Sequence, residues 1–158
     1  MRWTGVGIGV AVVLAVGIGL FQMQTAQAQR VGLLPYDDAE AIVLGRAIYA
    51  GTCASCHGDN LQGEQLDWRS RGPDGRLPAP PHDANGHTWH HADDLLFAIT
   101  KFGSSTVIGG GYESNMMGFE EMLTDAEILA VLGYIKSTWP GEVVAQHNEI
   151  NLRAGLSP

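Results

Sequence analysis

The stretch TCASCHGDN, residues 52–60, holds the only two cysteines of the 158-residue chain, Cys53 and Cys56, with His57 directly behind them. A disulfide across two intervening residues closes so small a loop that it removes little entropy from the unfolded chain. A thioredoxin-like dithiol belongs between a strand and a helix, and no strand pattern flanks this motif. A zinc site needs four ligands, usually with a second cysteine pair. The chain has no such pair, so only His87, His90 and His91 could complete a set with the thiols.

Covalent haem attachment uses every residue of the motif. Two thiols at fixed short spacing add to the two vinyl groups of the macrocycle, and the adjoining histidine reaches the iron from the same side. One motif implies one haem, held by Cys53, Cys56 and His57.

The first residues fit that chemistry. Arg2 precedes an uncharged run from Trp3 to Phe21, and Ala26 and Ala28 form a small-x-small site that would leave Gln29 as the new first residue. This is the layout of a secretory signal over residues 1–28. The alternative is an uncleaved anchor through residues 3–21, since about 20 apolar residues span a bilayer. Either way the folded part is expected outside the cytoplasm, in the periplasm, free or tethered to the inner membrane. The formal net charge of −8 argues against nucleic acid and anionic membrane surfaces as partners, which need clustered Lys and Arg.

Ile42, Gly45 and Tyr49 recur at helical spacing with Leu44 and Ile48 beside them, predicting a helix over residues 39–50 that runs into the cysteine motif, capped by Asp37 or Asp38. Residues 58–90 are rich in Gly, Pro, Asp and Asn and predict loop. A loop of that length needs something other than secondary structure to hold it, and a buried macrocycle would serve. HHADDLLFAITKFG predicts a short helix with Leu95, Leu96 and Ile99 on one face, acids in the first turn, Lys101 in the last and Gly103 as its stop. A glycine-rich loop follows. Thr124 and Glu127 then form a capping box, Leu123 and Ile128 a hydrophobic staple, and Ile128, Val131, Leu132 and Ile135 one apolar stripe ending near Trp139 and Pro140. Residues 141–158 are polar and predict a peripheral tail.

Candidates for the sixth iron position are Met116, Met117 and Met122, together with His82, His87, His90, His91 and His147. A thioether on the far side of the haem raises the reduction potential. Met116 and Met117 sit in a glycine-bounded loop before the capped helix, whereas Met122, next to the helix start, reads as packing. His87 and His90, spaced i, i+3, raise the thought of a second metal, against which these histidines line the haem edge or lie in solvent.

From Leu33 to Pro140 the chain resembles a class I cytochrome c: an opening helix with Gly45 and Tyr49, CASCHG, a proline-bearing loop, a methionine loop, and the closing LTDAEILAVLGYIKSTWP. The resemblance implies an all-α fold of three to four helices and long loops around one covalently bound haem c, with the cytochrome domain over residues 29–140. In this family a Met-Pro-x-Phe stretch commonly precedes the last helix. That register puts the iron ligand at Met116 and the aromatic at Phe119, while Met117 stands where the proline would be and is the alternative ligand. The resemblance further implies that the Pro80 carbonyl accepts a hydrogen bond from His57, and that the Trp89 indole donates to a haem propionate. Gly45 and Tyr49 would pack against Val131, Leu132 and Ile135 where the terminal helices cross. Arg69, Arg71 and Arg76 are further candidates for the propionates.

The implied function is one-electron transfer by a monomeric carrier, with donor and acceptor proteins as partners, and not enzymatic catalysis. The alternatives are a haem subunit of a dehydrogenase or oxidase complex, or a haem sensor or enzyme with a displaceable sixth ligand.

Overall fold

The computed structural model describes residues 31–156, so the expected leader, its cleavage site and any tether through residues 3–21 lie outside the described residues. All regular structure among the described residues is helical, and no helix there is long and apolar enough to cross a membrane.

Helix α1, Ala39–Ile48, starts at Asp38, whose carboxylate accepts from the backbone N–H groups of Glu40 and Ala41 at 3.0 and 3.1 Å. It runs without a break into a wider π turn, Tyr49–Cys53, and then into α2, Ala54–His57, which Gly58 ends. Such turns inside a helix shift the side-chain register and gather at functional sites. Here the shift falls on Cys53. Residues 58–87 hold no helix, and a 3-10 turn, Thr88–His90, leads to α3, Asp93–Phe102.

Helix α4, Ser104–Ile108, is a short element inside the glycine-rich segment read as loop. Helix α5, Asp125–Ser137, carries the expected capping box, with Thr124 and Glu127 each accepting from the other's backbone N–H. Helix α6, Gly141–Arg153, corrects the expectation of a peripheral tail over 141–158, because it buries Val143, His147 and Asn151 at i, i+4, i+8. Two of those three residues are polar, so hydropathy gave no stripe to find.

The core joins Leu34 of the lead-in and Tyr49 to Leu96, Ile128, Val131, Leu132, Ile135 and Trp139. Helices α1 and α5 cross at Gly45, where an added Cβ would lie 2.6 Å from the Ala130 carbonyl carbon and 2.9 Å from Tyr134 Cβ. No side chain fits there, so glycine is what lets the backbones meet. The partners of Gly45 are therefore Ala130 and Tyr134, while Tyr49 reaches the cluster of Val131, Leu132 and Ile135. Two other packing expectations fail. Leu95 is exposed on α3, whose buried face is Asp93, Leu96 and Thr100, and Met122 is 56% exposed.

Candidate haem centre

His57 ends α2 and is buried, its Nδ1 2.8 Å from the carbonyl oxygen of Pro80. A carbonyl can only accept, so Nδ1 carries the proton and Nε2 of the neutral ring is a bare lone pair. Burial pulls the His57 pKa below the ordinary histidine value, against smaller opposing effects of the Pro80 hydrogen bond and Glu64. A neutral imidazole with Nδ1 oriented by a backbone carbonyl is the form in which histidine binds a metal through Nε2.

Both cysteines are free thiols. Cys53 is half-buried in the π turn and Cys56 is exposed on α2. Burial first, then the neighbouring Cys56, pushes the Cys53 thiol up to about 11, which keeps it uncharged. Tyr49 donates its hydroxyl to the Gly58 carbonyl at 2.9 Å, and the Gly63 N–H donates to the His57 carbonyl at 2.7 Å, so the motif is fastened on both sides. Two unbridged thiols three positions apart beside a metal-ready imidazole fit covalent haem.

Behind His57 the ring of His82 stacks at 4.0 Å and 23°. His82 is itself fixed, with Nδ1 2.7 Å from Thr88 Oγ1 and its carbonyl accepting from the Trp139 indole at 2.7 Å. This brace joins the end of α5 to the proline loop, and the sequence held no periodic signal for it.

The methionine loop is pinned to the end of α3. Phe119 N–H donates to the Thr100 and Lys101 carbonyls at 3.1 and 3.0 Å, and Ser104 N–H donates to the Met116 carbonyl at 3.2 Å. Gly103, at φ +84°, and Gly118 permit the approach, since a Cβ on Gly118 would meet the Lys101 carbonyl oxygen at 2.7 Å. Of the two candidate ligands Met116 is half-buried, whereas Met117 is 59% exposed. Phe119 is buried beside them.

The candidates for propionate contacts make the following contacts within the protein. The Trp89 N–H donates to the Ala84 carbonyl at 3.2 Å, and its ring stacks on His90 at 3.7 Å. Arg69 lies over the Trp68 ring at 4.0 Å, and Arg71 donates to the Gly75 carbonyl at 2.7 Å. Arg76 donates to Asn115 Oδ1 at 3.1 Å and lies 3.6 Å from Glu113, so it ties the 72–76 turn to the methionine loop. Among the described residues no group of three or more His, Cys, Asp or Glu is arranged to hold a metal ion.

A second feature was not legible in the sequence: a buried polar cluster beneath α6. Asp93 accepts from the N–H groups of Leu33 and Leu34 at 2.7 and 3.3 Å, and Asn151 Oδ1 accepts from the Asp93 N–H at 2.9 Å. Here a side chain of α6 does the capping that α3 lacks locally. His147 Nε2 donates to the His91 carbonyl at 2.9 Å and lies 3.4 Å from Asp93. Lys136, fully buried, donates to Asn148 Oδ1 at 2.8 Å and sits 4.3 Å from the centre of the Tyr36 ring. Burial pulls Lys136 down to about 8, against the pull of Asp93 and Asp37. The one sequence clue was Lys136 itself, placed i+4 from Leu132 on the buried stripe of α5. His147, a candidate sixth ligand by type alone, is committed to this cluster.

The Cytochrome c family model matches residues 42–139, from within α1 to Trp139, which is well over half of the chain. No curated protein and no solved structure matches it. The thiol pair, the oriented His57 and the helical frame around them agree with that match, and the chain belongs to the cytochrome c family.

Proposed function

We propose that this protein is a monohaem one-electron carrier acting outside the cytoplasm, most simply in the periplasm. The observation that carries the proposal is His57: buried, neutral, with Nδ1 spent on the Pro80 carbonyl and Nε2 left for iron, directly behind the only two thiols of the chain. Bound haem supplies an iron that takes up and gives back one electron.

The protein's part is to hold that centre still. Cys53 and Cys56 anchor it covalently, and the Pro80 carbonyl, together with the His82 stack, limits rotation of the His57 ring. Met116 is the proposed sixth ligand, because it is the half-buried member of the pair and its carbonyl is tied to Ser104 at the end of α3. A side chain that is always present keeps the coordination unchanged between oxidation states and favours electron transfer over ligand binding. Trp89 and Arg76 act here by fastening the loops around the centre through Ala84 and Asn115. The formal charge of −8 favours redox partners of positive surface potential, met through small, brief interfaces.

The test is a redox titration with visible and near-infrared spectra. Wild-type ferric protein is expected to show the charge-transfer band of sulfur ligation and to bind carbon monoxide poorly when reduced. Met116→Ala should lose the band, lower the potential and bind carbon monoxide readily. An unchanged spectrum in Met116→Ala would move the ligand to Met117. Ready binding of carbon monoxide by the wild type would favour a sensor or enzyme instead.

A further inference from the structure

His87 and His91 stand apart from the residues assigned above. Their Nε2 atoms face each other at 2.9 Å, with the rings at 71° and centroids 4.8 Å apart. We propose that these two nitrogens form a two-imidazole site for a divalent transition-metal ion, Zn2+ or Cu2+, separate from the haem.

Ligand nitrogens about 2.0–2.1 Å from a shared tetrahedral ion lie roughly 3.3 Å apart, so the pair needs to open by only a few tenths of an ångström to admit one. In this structure the two Nε2 atoms share a hydrogen bond, and an ion would take the place of its proton. Each ring is already positioned. His87 lies flat on Trp68, with centroids 5.3 Å apart and 7° between planes. His91 is held through its backbone, its N–H donating to the Thr88 carbonyl and its own carbonyl accepting from His147.

Both rings are half-exposed, leaving a route in and room for water on the ion. Burial, followed by the neighbouring histidines, lowers the pKa of both below the ordinary value, so both rings are neutral at neutral pH, and the one proton between the two Nε2 atoms moves to Nδ1 of its ring to free the second lone pair for an ion. The cationic Arg69 acts in the same direction on His87.

His90 does not converge on the pair. It is exposed, stacked on Trp89, with its ring centroid 6.4 Å from that of His87. Because no third His, Cys, Asp or Glu among the described residues completes a cluster, the protein supplies two ligands and solvent the rest. A site of that kind exchanges its ion readily, unlike a closed structural site with four protein ligands. Cu2+ binds more tightly than Zn2+ to such a nitrogen pair.

The test uses the haem-loaded full chain, in which the thiols are already engaged. Zn2+ is titrated by calorimetry, and Cu2+ is added for electron paramagnetic resonance. One ion per chain is expected, with copper hyperfine structure from two nitrogens and a haem absorption spectrum that Zn2+ leaves unchanged. His87→Ala and His91→Ala should each weaken binding about tenfold or more, while His90→Ala leaves it as it was. His91→Gln keeps a hydrogen-bonding partner for His87 without the imidazole, so it tests the site even if the alanine variants disturb the loop. Binding by His91→Gln equal to that of wild type, or wild-type binding no stronger than that of the His87→Ala/His91→Ala double variant, overturns the proposal. Because the readouts follow the added ion, the result does not depend on whether Met116 or Met117 is the sixth haem ligand.

Discussion

At Cys53, Cys56 and His57, a stretch of loop from 58 to 87 meets the helices with only scattered turns of its own. Beneath α6 the contacts come from the chain itself: Asp93, Lys136, His147 and Asn151 are all fully buried and bond to one another, to Asn148 and to the nearby backbone, with Asp93 Oδ1, His147 Nδ1 and Asn151 Nδ2 left without a hydrogen-bond partner. The first region is built to be completed by a group from outside the chain. The second is built from the chain's own side chains, but it keeps charged and polar groups away from water, which costs stability unless the partners it has stay in place. The two regions should therefore fail differently when a single residue is changed.

The largest effect is expected on the cofactor side. With Cys53→Ala and Cys56→Ala combined, haem is no longer anchored, and the 58–87 loop loses what organises it. Calorimetry should show the cooperative unfolding transition of the mature protein replaced by a broad or absent one. A normal transition in that variant would mean that the polypeptide organises the loop alone, and the contrast would vanish.

On the polar side the damage should be large but local. Asp93→Ala orphans the N–H groups of Leu33 and Leu34 and removes the acid facing His147, for a loss of about 1–3 kcal/mol for each buried group left unpaired. The visible spectrum of the haem should stay the same while denaturant unfolding shifts to lower concentration. A spectral change would show that the two regions are coupled.

A smaller effect sharpens the same contrast by pH. His147 donates from Nε2 to the His91 carbonyl, and its buried Nδ1 has no partner to receive a second proton's hydrogen bond. Burial, and then Lys136, accordingly hold its pKa below the ordinary histidine value, against Asp93 and the His91 bond. The unfolded chain thus takes up a proton that the folded chain resists, so stability is full above about pH 6.5 and falls as pH drops toward the folded pKa. One such group contributes a slope of at most about 1.4 kcal/mol per pH unit. His147→Gln should flatten the acid limb without abolishing it, since burial lowers His87 and His91 in the same sense. An unaltered limb would remove His147 from the account.

The sequence was most legible where a residue's role depends on its near neighbours. The cysteine motif, the Asp38 cap and the Thr124–Glu127 capping box each occupy a few consecutive positions, and each appears in the fold as spaced. The His57–Pro80 contact lies 23 residues apart, and only family resemblance could suggest it. What stayed hidden was polar and long-range. Helix α6 has no apolar stripe because its buried positions include His147 and Asn151, whose partners lie in α3 and the loop before it. The His82 stack and the His87–His91 pair join side chains through loop geometry, which no periodicity encodes.

The most direct measurement is intact-mass spectrometry of the matured protein, paired with its absorption spectrum under denaturing, reducing conditions. One haem mass carried covalently by the denatured polypeptide, through thioether links at Cys53 and Cys56, is the predicted result. A colourless chain with both thiols free or joined to each other would contradict it.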